Sequence, residues 1–179
     1  MKLLVVDIQK GITDNRLNEF DKFIKNTRQI IDTARENNIE VIYVQHDDGP
    51  GTGFSVGDEE FEIADQVMPE KGEKIFIKTV NSCFGNSELA GYLEAEKEDT
   101  LMIVGLQTNF CIDATVKSAF DRGYKVIIPE GTNSTFDNDY MDKKTTCAYY
   151  NNMMWPDRFA DCVSLEEAVL LMQENAGGS

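Results

Sequence analysis

The chain has one histidine among its 179 residues, four cysteines and no C-x-x-C pair. One imidazole without a cysteine pair gives too few ligands for a zinc or iron centre. Cysteines spaced this widely make neither a redox dithiol nor a small disulfide scaffold. No metal and no other cofactor is therefore expected, and Cys83, Cys111, Cys147 and Cys162 are read as free thiols. Long apolar runs are also missing. The N-terminal run, Leu3 to Val6, is cut by Asp7, so neither a secretory signal nor a membrane span is expected, and the expected compartment is the cytoplasm. Positive charge is scarce: 17 Lys and Arg against 32 Asp and Glu leave a formal charge of −15. Such a chain repels nucleic-acid phosphate and anionic membrane surfaces, so neither is an expected partner. No G-x-G-x-x-G turn, Walker loop or G-x-S-x-G elbow is present, which removes the common nucleotide-binding and serine-hydrolase signatures.

What remains is ample for a core. Apolar residues make up 41% of the chain, too many for a disordered acidic protein, and the length suits one domain. We assign residues 1–176 to that domain and read 177–179 as a frayed tail. Short Val- and Ile-rich runs at Leu3–Val6, Val41–Val44, Ile75–Ile77, Leu101–Val104 and Val126–Ile128 are too uniformly apolar for half-exposed strands and predict buried parallel ones. A sixth strand is expected around Ala160–Val163. Between the runs lie amphipathic stretches. One carries Phe20, Phe23, Ile24, Thr27, Ile30, Ile31 and Ala34 and stops at Asn37-Asn38. A second carries Ile112, Val116, Ala119 and Phe120 and closes at Gly123. A third starts at Ser164, with Glu167 completing a capping box, and a less regular helix is expected over Tyr140–Met154. Alternating strands and helices predict a doubly wound α/β fold with a mostly parallel sheet covered on both faces.

In such sheets ligands bind beyond the carboxyl ends of the strands. Asp7, Lys78 and Cys111 all stand just past apolar runs. A carboxylate, an ammonium and a thiol that converge there can do nucleophilic chemistry without a histidine, the carboxylate taking the thiol proton. Cys111 falls where a strand turns into a helix, and backbone N–H groups at a helix start lower a thiol's pKa and can hold an oxyanion. His46 stands beside Asp47 and Asp48. Phe54, Phe84, Phe110 and Trp155 are candidate walls of an apolar substrate pocket.

Three segments, Leu3-Leu4-Val5-Val6-Asp7-Ile8-Gln9, Lys78-Thr79-Val80-Asn81-Ser82-Cys83-Phe84 and Val104-Gly105-Leu106-Gln107-Thr108-Asn109-Phe110-Cys111-Ile112-Asp113-Ala114-Thr115, carry a resemblance. In this order they resemble the isochorismatase-like cysteine hydrolases, a superfamily that also holds nicotinamidases, N-carbamoylsarcosine amidohydrolases and ureidoacrylate amidohydrolases. The resemblance implies a three-layer α/β/α fold with a six-stranded sheet and a catalytic triad of Asp7, Lys78 and Cys111. It also implies a cis peptide between Leu106 and Gln107, an oxyanion hole of the Gln107 and Cys111 N–H groups, and assembly as a homodimer or homotetramer. Nicotinamidases bind a metal through an Asp and several His, and a lone His46 departs from that pattern. Glu130-Gly131 replaces the usual Asp-Ala after the fifth strand. Retention of the cysteine favours cleavage of an amide, ureide or similar C–N bond through a thioester. The alternatives are vinyl-ether hydrolysis with Asp7 as general acid, and a non-catalytic binding role on the same scaffold.

Overall fold

The computed structural model describes residues 1–177 of the chain. Six parallel strands run in the order β3 (Lys74–Lys78), β2 (Glu40–His46), β1 (Lys2–Val6), β4 (Thr100–Leu106), β5 (Lys125–Pro129) and β7 (Asp161–Val163). A two-residue strand, β6 (Asn133–Ser134), pairs with the end of β4 and was not foreseen. The uniformly apolar runs have a direct explanation in β1. Leu3 and Val5 enter one core cluster and Leu4 and Val6 enter the other. The first cluster is closed by α1 (Phe20–Glu36) and α5 (Leu165–Gly177), the second by α2 (Ser87–Ala95) and α3 (Asp113–Asp121). A strand covered on both faces has no side on which a polar residue is cheap, and each buried aliphatic chain contributes about 1.5–3 kcal/mol.

Local signals account for the helix ends. Asn37 closes α1 and Asn38 follows in the left-handed region at φ 55°. The Ser164 hydroxyl accepts the Glu167 N–H at 3.1 Å at the start of α5, as the capping residue should. Helix α2 was not anticipated, since its buried face is only Leu89 and Leu93; the Asn86 side chain starts it by accepting the Leu89 N–H at 2.9 Å. The expected irregular helix is α4 (Lys143–Tyr149) followed by a π-helical turn over Tyr150–Met154. Of the expected frayed tail, Gly177 is the last residue of α5, and 178–179 lie outside the described residues.

Two burial expectations are corrected. Ile75 and Ile77 were read as buried, yet they are 46% and 41% exposed: they share one face of β3 that neither core cluster covers, whereas Phe76 and Lys78 on the opposite face are half-buried and buried. Phe120, expected on the inner face of its helix, is 45% exposed and meets Phe159 edge-on. An apolar run reports strand character but not whether a neighbour covers it.

Strand order reverses between β1 and β4, the neighbours from which the chain winds outward in opposite directions. The carboxyl ends of both therefore open into one crevice, the position where doubly wound sheets hold ligands. Gly105 permits the close approach of these strands. Its φ is +133°, and a Cβ there would collide with the Val6 carbonyl.

Candidate active site

Four strand ends supply the crevice. Asp7 follows β1, His46 and Lys78 close β2 and β3, and Gln107 follows β4. Asp7 takes a left-handed conformation at φ 52°, one that aspartate tolerates better than most residues. Its N–H is held by the Val44 carbonyl at 2.8 Å. Lys78 stands opposite His46 in the β2–β3 register, and its side chain is fully enclosed. The peptide between Leu106 and Gln107 is cis. Beyond it the chain winds into a π-helical turn over Thr108–Ile112 that leads into α3 and carries Cys111.

The Lys78 ammonium ties these elements together. It donates to Asp7 Oδ2 at 2.7 Å, to His46 Nδ1 at 3.1 Å and to Cys111 Sγ at 3.3 Å. Asp7 is 1% exposed, and its second oxygen, Oδ1, is buried without a hydrogen-bond partner. Such an atom is an acceptor kept free. The Cys111 thiol is 9% exposed and lies 3.9 Å from Asn81 Oδ1.

Burial and charge set the proton affinities. Burial works against the charge on Lys78, but the Asp7 carboxylate and the Cys111 and Cys83 thiols outweigh it and lift its pKa, so it stays an ammonium. Burial raises the Asp7 carboxyl above the ordinary carboxylate range despite the pull of Lys78, making it a better base than an exposed aspartate. Burial, then the Asp7 charge, pushes the Cys111 thiol up to about 12. This corrects the expectation of a lowered thiol pKa at a helix start. Desolvation and a neighbouring carboxylate dominate over the local N–H groups, and the resting group is a thiol.

Among the described residues, one set of three potential metal ligands converges, Asp7, His46 and Cys111, with donor atoms within 4.8 Å of one another. The Lys78 ammonium is hydrogen-bonded to all three. A divalent ion does not fit that set while the ammonium contacts all three, because the two positive charges would be held side by side in a buried site.

Of the four aromatic candidates, two are core residues. Trp155 is fully buried and donates its indole N–H to Asp113 Oδ1 at 2.9 Å; Phe84 is 7% exposed against Tyr124 with Arg122 over its ring. Both pack in the cluster that supports Cys111. Phe110, next to the thiol, is 52% exposed, and the Phe54 ring lies against Gly11 on the β2–β3 connection. Sequence reasoning missed Gln9. It is wholly buried, and its amide accepts the His46 N–H at 2.8 Å and donates to the carbonyls of His46 and Phe61 at 3.0 and 2.9 Å. An uncharged polar residue two places after a strand-end aspartate was the available signal. A cleft of about 410 Å³ reaches Asn133 and Cys147 but none of Asp7, Lys78 and Cys111.

Known proteins resemble the chain in sequence and in fold. The chain is 29% identical over 174 residues to the isochorismatase family protein YrdC of Bacillus subtilis (strain 168), covering 93% of each. It is 27% identical over 137 residues to streptothricin hydrolase of Streptomyces noursei, covering 75% of this chain and 54% of that protein. A crystal structure of an isochorismatase family protein matches with TM-score 0.83 at 27% identity, over 91% of this chain and 97% of the other. The isochorismatase domain model matches residues 2–167, and the chain belongs to the isochorismatase family of hydrolases.

Proposed function

We propose that this hydrolase cleaves a C–N bond of a small molecule, an amide, ureide or similar group, through a thioester on Cys111. The observation that carries the reading is the contact of one buried ammonium, Lys78, with both Asp7 and Cys111. A thiol at about 12 is ionised to roughly one part in 10⁵ at pH 7. Attack therefore requires a base in contact during bond formation. Asp7 takes the thiol proton as sulfur bonds to the carbonyl carbon, and the Gln107 and Cys111 N–H groups hold the oxyanion. Asp7 returns the proton to the departing nitrogen as the C–N bond breaks. Water, its proton taken by Asp7, then attacks the thioester; the C–S bond breaks, and Asp7 returns that proton to sulfur, which restores the thiol and the carboxylate. Lys78 pairs with whichever of Asp7 and sulfur carries the negative charge, and the proposed chemistry uses no metal or other cofactor. A panel of small amides and ureides, followed by intact-mass measurement, tests this. A covalent adduct on Cys111 is expected, and full turnover by Cys111→Ala would overturn it.

A second reading is favoured by the raised Asp7 pKa, which suits a general acid protonating a vinyl ether. It predicts turnover of such a substrate that survives loss of the thiol. We further propose a cytoplasmic homodimer or homotetramer, supported by the exposed apolar side chains of Ile75, Ile77, Val80 and Phe110. Light scattering that returns a monomer mass would refute the assembly.

A further inference from the structure

The lone histidine has no role in the triad, yet it touches the group at the triad's centre. A protonated lysine has three N–H donors and no lone pair. The Lys78 side chain is fully enclosed, so each donor needs a protein acceptor. Asp7 Oδ2 and Cys111 Sγ take two, and His46 Nδ1 takes the third at 3.1 Å. Because the ammonium can only donate, Nδ1 carries no proton, and the ring proton of neutral His46 is on Nε2. That N–H points at Asp48 Oδ1, 3.0 Å away. The backbone of His46 is itself clamped, its N–H and carbonyl both bonded to the Gln9 amide.

We propose that His46, held as the Nε2–H tautomer by Asp48, is a positioning residue that aims the Lys78 ammonium at Asp7 and Cys111. The inference rests on the reading of Lys78 as the cation of the triad. It gives the histidine the task of completing an ammonium's acceptor shell instead of binding a metal. Without Nδ1, one N–H of an enclosed ammonium has no acceptor. The side chain then turns to find another, and the thiolate that forms during attack loses its partner. An asparagine at this position can present its carbonyl oxygen where Nδ1 lies, whereas leucine of similar bulk presents nothing.

Two measurements test the proposal, and neither needs the natural substrate. The chain has one histidine, so nitrogen NMR of the intact protein at about pH 8 reports His46 alone. The expected spectrum has a protonated Nε2 and an unprotonated, hydrogen-bonded Nδ1 whose resonance shifts in Lys78→Met. The second measurement is the rate at which iodoacetamide modifies Cys111. We expect His46→Leu to slow it about tenfold or more, the size of effect when one hydrogen bond to a charged group is lost, and His46→Asn to recover most of the rate. A protonated Nδ1, a rapidly exchanging mixture of tautomers, or a His46→Leu rate equal to that of the native protein would each overturn the proposal. The tautomer measurement stands even if a variant fails to fold. Turnover that persists in Cys111→Ala would instead remove the thioester reading and leave the histidine result unchanged, so the two failures are separable.

Discussion

The enclosed pair of Asp7 and Lys78 makes a sharp prediction about stability. In Lys78→Met the Asp7 carboxylate loses the donor on Oδ2, and Oδ1 has no partner to compensate. A buried charge stripped of its partner costs about 3–5 kcal/mol. With a urea slope of about 2 kcal/mol per molar, the midpoint should fall by roughly 1.5–2.5 M near pH 7. The loss depends on pH in a defined direction. The folded-state pKa of Asp7 is already raised and rises further without Lys78, so the folded carboxyl holds its proton where the unfolded one has lost it. Stability of the variant is then highest below about pH 4, the unfolded value, and declines as pH increases toward the folded pKa. The double variant Asp7→Asn with Lys78→Met removes both charges and should recover to within about 1–2 kcal/mol of the native protein, while remaining inactive. Urea titrations of the four proteins at about pH 5 and pH 8 provide the test. Additive losses in the double variant, or a Lys78→Met midpoint independent of pH, would show that the two buried charges do not depend on each other.

Two further outcomes follow from the same structure. The thiols of Cys83, Cys111 and Cys162 are each pushed up to about 12, chiefly by burial. An unfolded thiol ionises near pH 8.5, so stability is fully present below that value and is lost as pH rises from about 9 to about 12. Thermal melts should fall steeply across that window, and less steeply in Cys83→Ala; a Cys83→Ala profile parallel to the native one would contradict this. Gly105→Ala places a methyl against the Val6 carbonyl at a φ of +133° and should cost about 3 kcal/mol or more, whereas a methyl at Gly91, in α2, meets open space and should stabilise by about 0.5–1 kcal/mol. Chemical denaturation distinguishes them, and equal effects would show the strand contact to be soft.

The legibility of this chain was uneven for physical reasons. Leu3–Val6 announced a central strand because both its faces meet apolar clusters, leaving no polar alternation. Ile75–Ile77 gave the same signal with one face bare, because composition carries no information about which face a helix covers. That Asp7, Lys78 and Cys111 lie together could be expected from their positions after apolar runs, since a parallel sheet gathers strand ends at one rim. The state of the thiol could not, because its pKa depends on burial and on a carboxylate distant in sequence. The contacts of Gln9 and His46 were hidden for a related reason. They reach across 37 and 32 residues, to His46 and to Lys78 respectively. Trp155 and Phe84 were misplaced because an aromatic residue near a site reads alike in sequence whether it lines a pocket or supports one.

In the proposed mechanism the sulfur of Cys111 attacks the substrate carbonyl with Asp7 as base. The most direct measurement is the mass of the protein trapped by acid quench during turnover of an active small amide or ureide. A mass increase equal to the acyl fragment is expected, mapped to the peptide containing Cys111 and absent in Cys111→Ala and Asp7→Asn, both of which should lose turnover by a factor of about 10³ or more. Undiminished turnover in Cys111→Ala, or an adduct that forms as readily in Asp7→Asn as in the native protein, would contradict it.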